Sequence, residues 1–178
     1  MLIDKYLSAY DFNEFHSIKV NAPANGIYEK MLSCDISRSF LVRFLFLLRG
    51  MPKHLYTIGH LTNMGFIKLD EQPGKEIVYG IVTTSPTFNC CQSNVTPASF
   101  IQNKDASVIK AVINFHLQQD SYSNHVISTE TRVWCGSKAL KARFSLYWFF
   151  VKPFSQLIRK AMLKEMKKQI LEPQITNA

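Results

Sequence analysis

RFSLYWFFVKPFSQLIRKAMLKEMKKQI, residues 143–170, decides the fold. It is aromatic at its start and basic at its end. Helical spacing puts Phe144, Trp148, Val151, Phe154 or Ser155, Ile158, Met162 and Met166 on one apolar stripe. Ser137 supplies an N-cap for a long final helix. Pro153 removes a backbone donor from its interior, at a local cost of about 3 kcal/mol, and predicts a kink. A kinked helix follows a curved surface. The apolar first half of this helix is expected to be buried. The second half, with Lys160, Lys164, Lys167 and Lys168, is expected to be solvated.

The chain has 178 residues, enough for one domain spanning residues 1–178 with a substantial core. Hydrophobic residues make up 47% and charged residues 19%, the composition of a compact chain rather than a disordered one. The formal charge is +8, and it is unevenly placed. Ser137 to Glu172 holds nine basic residues against two acids, so +7 of the total lies there. No secretory signal is evident, and the apolar tracts are broken by Arg43, Lys152 and Pro153, so no spanning helix is expected. The four cysteines (Cys34, Cys90, Cys91, Cys135) form no C-x-x-C pair; free thiols in a reducing cytoplasm are expected, with no metal and no cofactor.

Upstream of the helix, the alternation of Ile18 and Val20 with Ser17 and Lys19 predicts a strand over Phe12–Ala22. Pro23 suits the first turn of a helix over Ala24–Ser33, and Ser37 the cap of a second over Arg38–Arg49. A short helical turn within Tyr56–Met64 ends at Gly65. Phe66–Asp70 and Glu76–Thr83 form a hairpin around Gln72-Pro73-Gly74. Thr96-Pro97 starts another short helix through Phe100. Two long strands follow, Ser107–Gln119 and Val126–Cys135, joined by a polar turn around Ser121–Asn124. This order predicts an α+β fold: a curved antiparallel sheet wrapped around a long C-terminal helix, with two short helices after the first strand.

SIKVNAPANGIYEKM, the pair AVINFHLQ and VISTETRVWC, and RFSLYWFFVKPFSQLIRKAM together resemble the START-like (SRPBCC) superfamily, in particular an uncharacterised bacterial branch of it. The resemblance covers roughly residues 13–169. It implies the helix-grip fold and a deep, largely apolar cavity between sheet and final helix. It implies no catalytic residue, because the superfamily includes binders and enzymes alike.

Strand alternation selects the side chains facing that cavity. On the first long strand these are Ile109, Ala111, Ile113, Phe115 and Leu117; on the second, Ile127, Thr129, Thr131, Val133 and Cys135. The two threonine hydroxyls need partners, either local or on a ligand. Tyr79 is in phase with Ile77 and Ile81, and His16 with Ile18. Tyr147 and Trp148 each carry a polar tip on the part of the helix expected to be buried. Glu130, Arg132, Trp134 and His116 fall on the opposite face, where a solvated pair beside a surface aromatic is expected. A shift of one residue would turn Glu130 and Arg132 into the cavity. Arg43 either snorkels to solvent or holds an acidic headgroup at the cavity mouth.

The expected partner is a hydrophobic small molecule, lipid-like or polycyclic, held by Tyr79, Ile113, Phe115, Thr129, Thr131, Tyr147, Trp148 and Val151. The alternatives are a cyclase or aromatase acting in the same cavity, through Glu130–Arg132 or His16, and a module that meets an anionic membrane surface through Lys160, Lys164, Lys167 and Lys168. No nucleic-acid motif accompanies the basic segment, so nucleic acid is not expected as a partner.

Overall fold

The computed structural model describes residues 1–23, 26–40, 43, 57–88, 90–120 and 124–172. In chain order the elements are α1 (Leu2–Tyr6), β1 (Phe12–Asn21), α2 (Ile27–Ser33), a 3-10 turn (Ile36–Arg38), a 3-10 helix (Ile58–Met64), β2 (Ile67–Gln72), β3 (Glu76–Thr83), α3 (Pro97–Gln102), β4 (Ile109–Gln119), β5 (Asn124–Cys135) and α4 (Lys138–Leu171). The strands form one curved antiparallel sheet in the order β1-β5-β4-β3-β2. The α+β helix-grip arrangement expected from the sequence is therefore present. Most of the expected second helix, Arg38–Arg49, lies outside the described residues. Ser37 does not cap it: Ser37 sits inside the 3-10 turn, where Asp35 accepts its backbone N–H at 2.9 Å.

Both faces of the sheet are covered. On the concave face Ile77, Tyr79, Ile113, Phe115, Leu117 and Ile127 pack against α2 and the second half of α4. Ile81, Ile109, Ala111 and Val133 pack against Leu140 and Phe144 at the start of α4. Phe144 also meets Phe12 at 4.9 Å and Trp148 at 5.8 Å between ring centroids. On the convex face Val78, Val82 and Val112 pack against Ile3, Tyr6 and Leu7 of the N-terminus and Phe100 of α3.

The sequence expectation fails on this second layer. Glu130 and Arg132 do lie opposite the α4 face, but they are buried, not solvated. Arg132 donates to both Glu130 oxygens (2.8 and 3.3 Å), to Asp4 (2.7 Å) and to the Leu7 carbonyl (3.0 Å). Asn114 links Glu130's backbone N–H (2.8 Å) to the Glu76 carboxylate (2.7 Å), which in turn accepts the N–H groups of Leu2 and Ile3. His116 is buried on the same face, and Trp134 is half-buried with the Lys110 ammonium 4.8 Å above its ring. The residues are polar because α1 and its neighbours supply polar partners, not because water does.

Helix α4 runs unbroken through Pro153. Ser137 caps it as expected, accepting the Leu140 N–H. The inward stripe is Phe144, Trp148, Val151, Ser155, Ile158, Met162 and Met166, which resolves the choice at 154/155 in favour of Ser155; Phe154 faces out. The expected division of the helix holds for Lys160, Lys164 and Lys168, which are exposed, and fails for the apolar residues. Leu146, Phe149, Phe150 and Phe154 in the first half are exposed, whereas Ala161, Met162, Leu163, Met166 and Ile170 in the second are buried. Among the described residues the first half rests on the sheet and on Phe88 and Cys91 of the segment after β3. The second half is flanked in addition by α2 and the 3-10 turn, so a wider arc of it is covered.

Candidate functional site

The concave face carries a polar cluster where α4 passes over β1 and β5. Pairing of these strands sets Glu14 opposite Thr131 and His16 opposite Thr129. Side chains directly opposed across two strands lie about 5 Å apart at Cβ, so all four meet on one face. Arg159 reaches down from α4 and closes the cluster, donating from Nη1 to Thr129 Oγ1 (3.1 Å) and from Nη2 to Thr131 Oγ1 (2.9 Å). The threonine hydroxyls thus have the partner that burial demands, and it comes from the helix.

Glu14 is 7% exposed. Its Oε1 is 2.8 Å from His16 Nε2. Its Oε2 is buried and has no hydrogen-bond partner among the described residues. A buried carboxylate oxygen without a donor is costly, so this atom is set to accept one. Apolar groups bracket the cluster: Ile18, Ile127 and Met162 toward one end of α4, Phe12, Phe144 and Trp148 toward the other.

The expected ligand contacts divide into three groups. Tyr79, Ile113 and Phe115 lie in the core under the second half of α4, with the Tyr79 hydroxyl held above its ordinary pKa by burial and by Glu71. Thr129 and Thr131 lie under Arg159. Tyr147 and Trp148 are half-buried around Phe144, and Val151 is half-buried on the inward stripe between them and Ser155. Arg43 is exposed, its guanidinium 6.0 Å from the Phe40 ring centroid. A depression of about 220 Å³ lies elsewhere, at the end of the β1–β5 pair, lined by Val20, Asn21, Asp120, His125 and the Lys167 side of α4.

Sequence reasoning missed Glu14 and Arg159. The signal for Glu14 is its phase, shared with His16, Ile18 and Val20. The signal for Arg159 is its spacing, four residues after the inward Ser155 and three before the inward Met162. No helix among the described residues is long and apolar enough to cross a membrane.

The strand order and the long C-terminal helix make up a helix-grip arrangement. No protein-family model matches the chain, and no curated protein does. Among solved structures the chain is similar to a conserved protein from Geobacillus kaustophilus, at 13% identity and a TM-score of 0.47, over 89% of this chain and 95% of that one. It is also similar to the di-domain aromatase/cyclase BexL (10%, TM-score 0.38, 91% of this chain and 50% of that one) and to norcoclaurine synthase from Thalictrum flavum (13%, TM-score 0.35, 91% and 87%).

Proposed function

We propose that the concave face binds a hydrophobic small molecule carrying one hydrogen-bond donor, a hydroxyl or an amine, which Glu14 accepts. The observation behind it is the Glu14 carboxylate, buried with one oxygen on His16 and the other unpartnered among the described residues. Ile113, Phe115, Val151 and Trp148 offer apolar contact, and Tyr79 and Tyr147 add phenol groups. Arg159, Thr129 and Thr131 form a polar floor. Each 200 Å² of apolar ligand surface removed from water contributes about 5 kcal/mol before the cost of association. A hydrogen bond to the carboxylate adds about 1.5–3 kcal/mol and fixes orientation.

The test compares three probes matched in hydrocarbon body, ending in a hydroxyl, an amine or a methyl group, by calorimetry. The donor-bearing probes bind at least about tenfold more tightly, and Glu14→Leu removes that preference while the protein stays folded. Equal affinity for the methyl-ended probe sinks the proposal, as does a preference that survives Glu14→Leu.

The 2.8 Å contact between Glu14 and His16 favours a second function, proton transfer on a bound carbonyl compound. Carboxylate and imidazole would act as the base, and the nearby guanidinium would stabilise the oxyanion that develops. Deuterium exchange into a bound ketone, abolished by His16→Gln with binding retained, separates this from simple binding. A wild-type protein that binds the ketone but catalyses no exchange excludes it.

A further inference from the structure

The outer face of α4 is unusual for the surface of a folded domain. Leu146 (65% exposed), Phe149 (74%), Phe150 (63%), Phe154 (49%) and Leu157 (47%) form one strip on the side opposite the inward stripe. At 1.5 Å per residue it is about 16 Å long. The same face continues as Lys160, Lys164 and Lys168, all exposed, and Arg143 stands exposed at its other end. The nearby acids do not neutralise it: Glu165 is buried and accepts from Gln169, and Glu172 is bridged by Arg38 at 2.8 Å.

We propose that this face docks on an anionic lipid surface, with the phenylalanines entering the headgroup–acyl boundary and the lysines meeting the phosphates. Aromatic and aliphatic side chains in line with an acid-free row of lysines have the character of a helix that lies in an interface. Charge decides against the other occupants. A second copy laid parallel would set its lysines against these lysines. Laid antiparallel, it would bring the exposed Arg143 to them. A nucleic acid would satisfy the lysines and leave the row of phenylalanines and leucines unexplained. The surface is separate from the ligand site, so either proposal can fail alone.

The experiment is sedimentation of the full chain with phosphatidylcholine vesicles and with vesicles containing about one-third phosphatidylglycerol, at low and at high salt. Binding is expected only to the anionic vesicles and is lost at high salt. Phe149→Ser with Phe150→Ser, and separately Lys160→Glu with Lys164→Glu, each weaken it at least tenfold. These side chains are exposed, so the thermal midpoint of both variants should match wild type. No vesicle binding at low salt overturns the proposal. So does a dimer, seen by analytical ultracentrifugation, that the Phe149/Phe150 variant abolishes. Binding to duplex DNA that the lysine variant abolishes, with vesicle binding unchanged in both variants, also overturns it.

Discussion

Arg132→Met separates a solvated ion pair from a buried one by magnitude alone. An exposed carboxylate–guanidinium pair contributes about 0–1 kcal/mol. In the structure both side chains of the Glu130–Arg132 pair are 9% exposed, and Arg132 also holds Asp4 and the Leu7 carbonyl. Methionine fills most of the space but leaves the Glu130 carboxylate buried without its cation. Removing one partner of such a pair costs about 3–5 kcal/mol. With a urea dependence of about 2 kcal/mol per molar, the unfolding midpoint falls by roughly 1.5–2.5 M. The double variant Glu130→Leu, Arg132→Met leaves no orphaned charge in the pair and recovers a large part of the loss. Equilibrium urea unfolding of wild type, single and double variants measures both. A loss below about 1 kcal/mol for Arg132→Met would refute the buried network. A double variant no more stable than the single would show that the cost is not the orphaned carboxylate.

Burial holds the His116 imidazole below its ordinary pKa of 6.5, against the opposing pull of Glu76; Lys75 and the N-terminal ammonium push the same way as burial. The folded state therefore resists protonation more than the unfolded state does. His116 contributes stability that is complete above pH 6.5 and is lost as pH falls through the depressed folded pKa. His116→Gln should flatten that part of the stability–pH curve, measured by urea unfolding in steps from pH 7.5 downward; an unchanged slope would contradict the burial. Two glycine substitutions test the packing. A Cβ at Gly136 would strike the backbone at Asp105 and Ala106, whereas one at Gly80 would meet the end of the Leu69 side chain at 2.5 Å and Phe100 at 3.0 Å. Gly80→Ala should cost about 1–3 kcal/mol because Leu69 can turn aside, and Gly136→Ala more, because a backbone cannot. Thermal unfolding of the two variants gives the order, and the reverse order would count against the register at the start of β4.

How far the sequence reveals the fold depends on which partner a side chain has. In β4 the apolar residues Ile109 to Leu117 alternate with Lys110, Asn114 and His116, and period two alone assigns the concave face correctly. The same pattern misleads about the other face, because a polar residue satisfied by protein looks in sequence like one satisfied by water. Helix α1 is the missing piece. Five residues are too few to show a period, and its start is tied to Glu76 across more than seventy residues of chain. A clue does exist in β3, where Val78 and Val82 alternate in phase against Ile77, Tyr79 and Ile81. A strand apolar on both sides is covered on both sides.

The same distinction bears on α4. Its aromatic half has the composition of a core helix, and apolar composition usually means burial. Yet a helix on a sheet has only one covered arc unless other elements flank it. After Ala161 α2 and the 3-10 turn do so; before Pro153 the helix meets, among the described residues, the sheet and the Phe88 and Cys91 side chains. Burial is therefore set by the neighbours rather than by the helix's own hydrophobicity, and four phenylalanines in eleven residues (Phe144, Phe149, Phe150, Phe154) divide one inside and three outside. An apolar strip left in water opposes solubility and is not maintained by the packing described. Its position, in line with Lys160 and Lys164 and directly behind the Arg159 that holds the inner polar cluster, gives one helix two chemically different faces. The hydrogen bonds at 2.9 and 3.1 Å belong to the inner face, so Arg159→Met should leave vesicle binding intact while altering the affinity of the inner site. Equal loss of both on that substitution would show instead that the variant has misfolded α4, and a thermal midpoint measured alongside would reveal it.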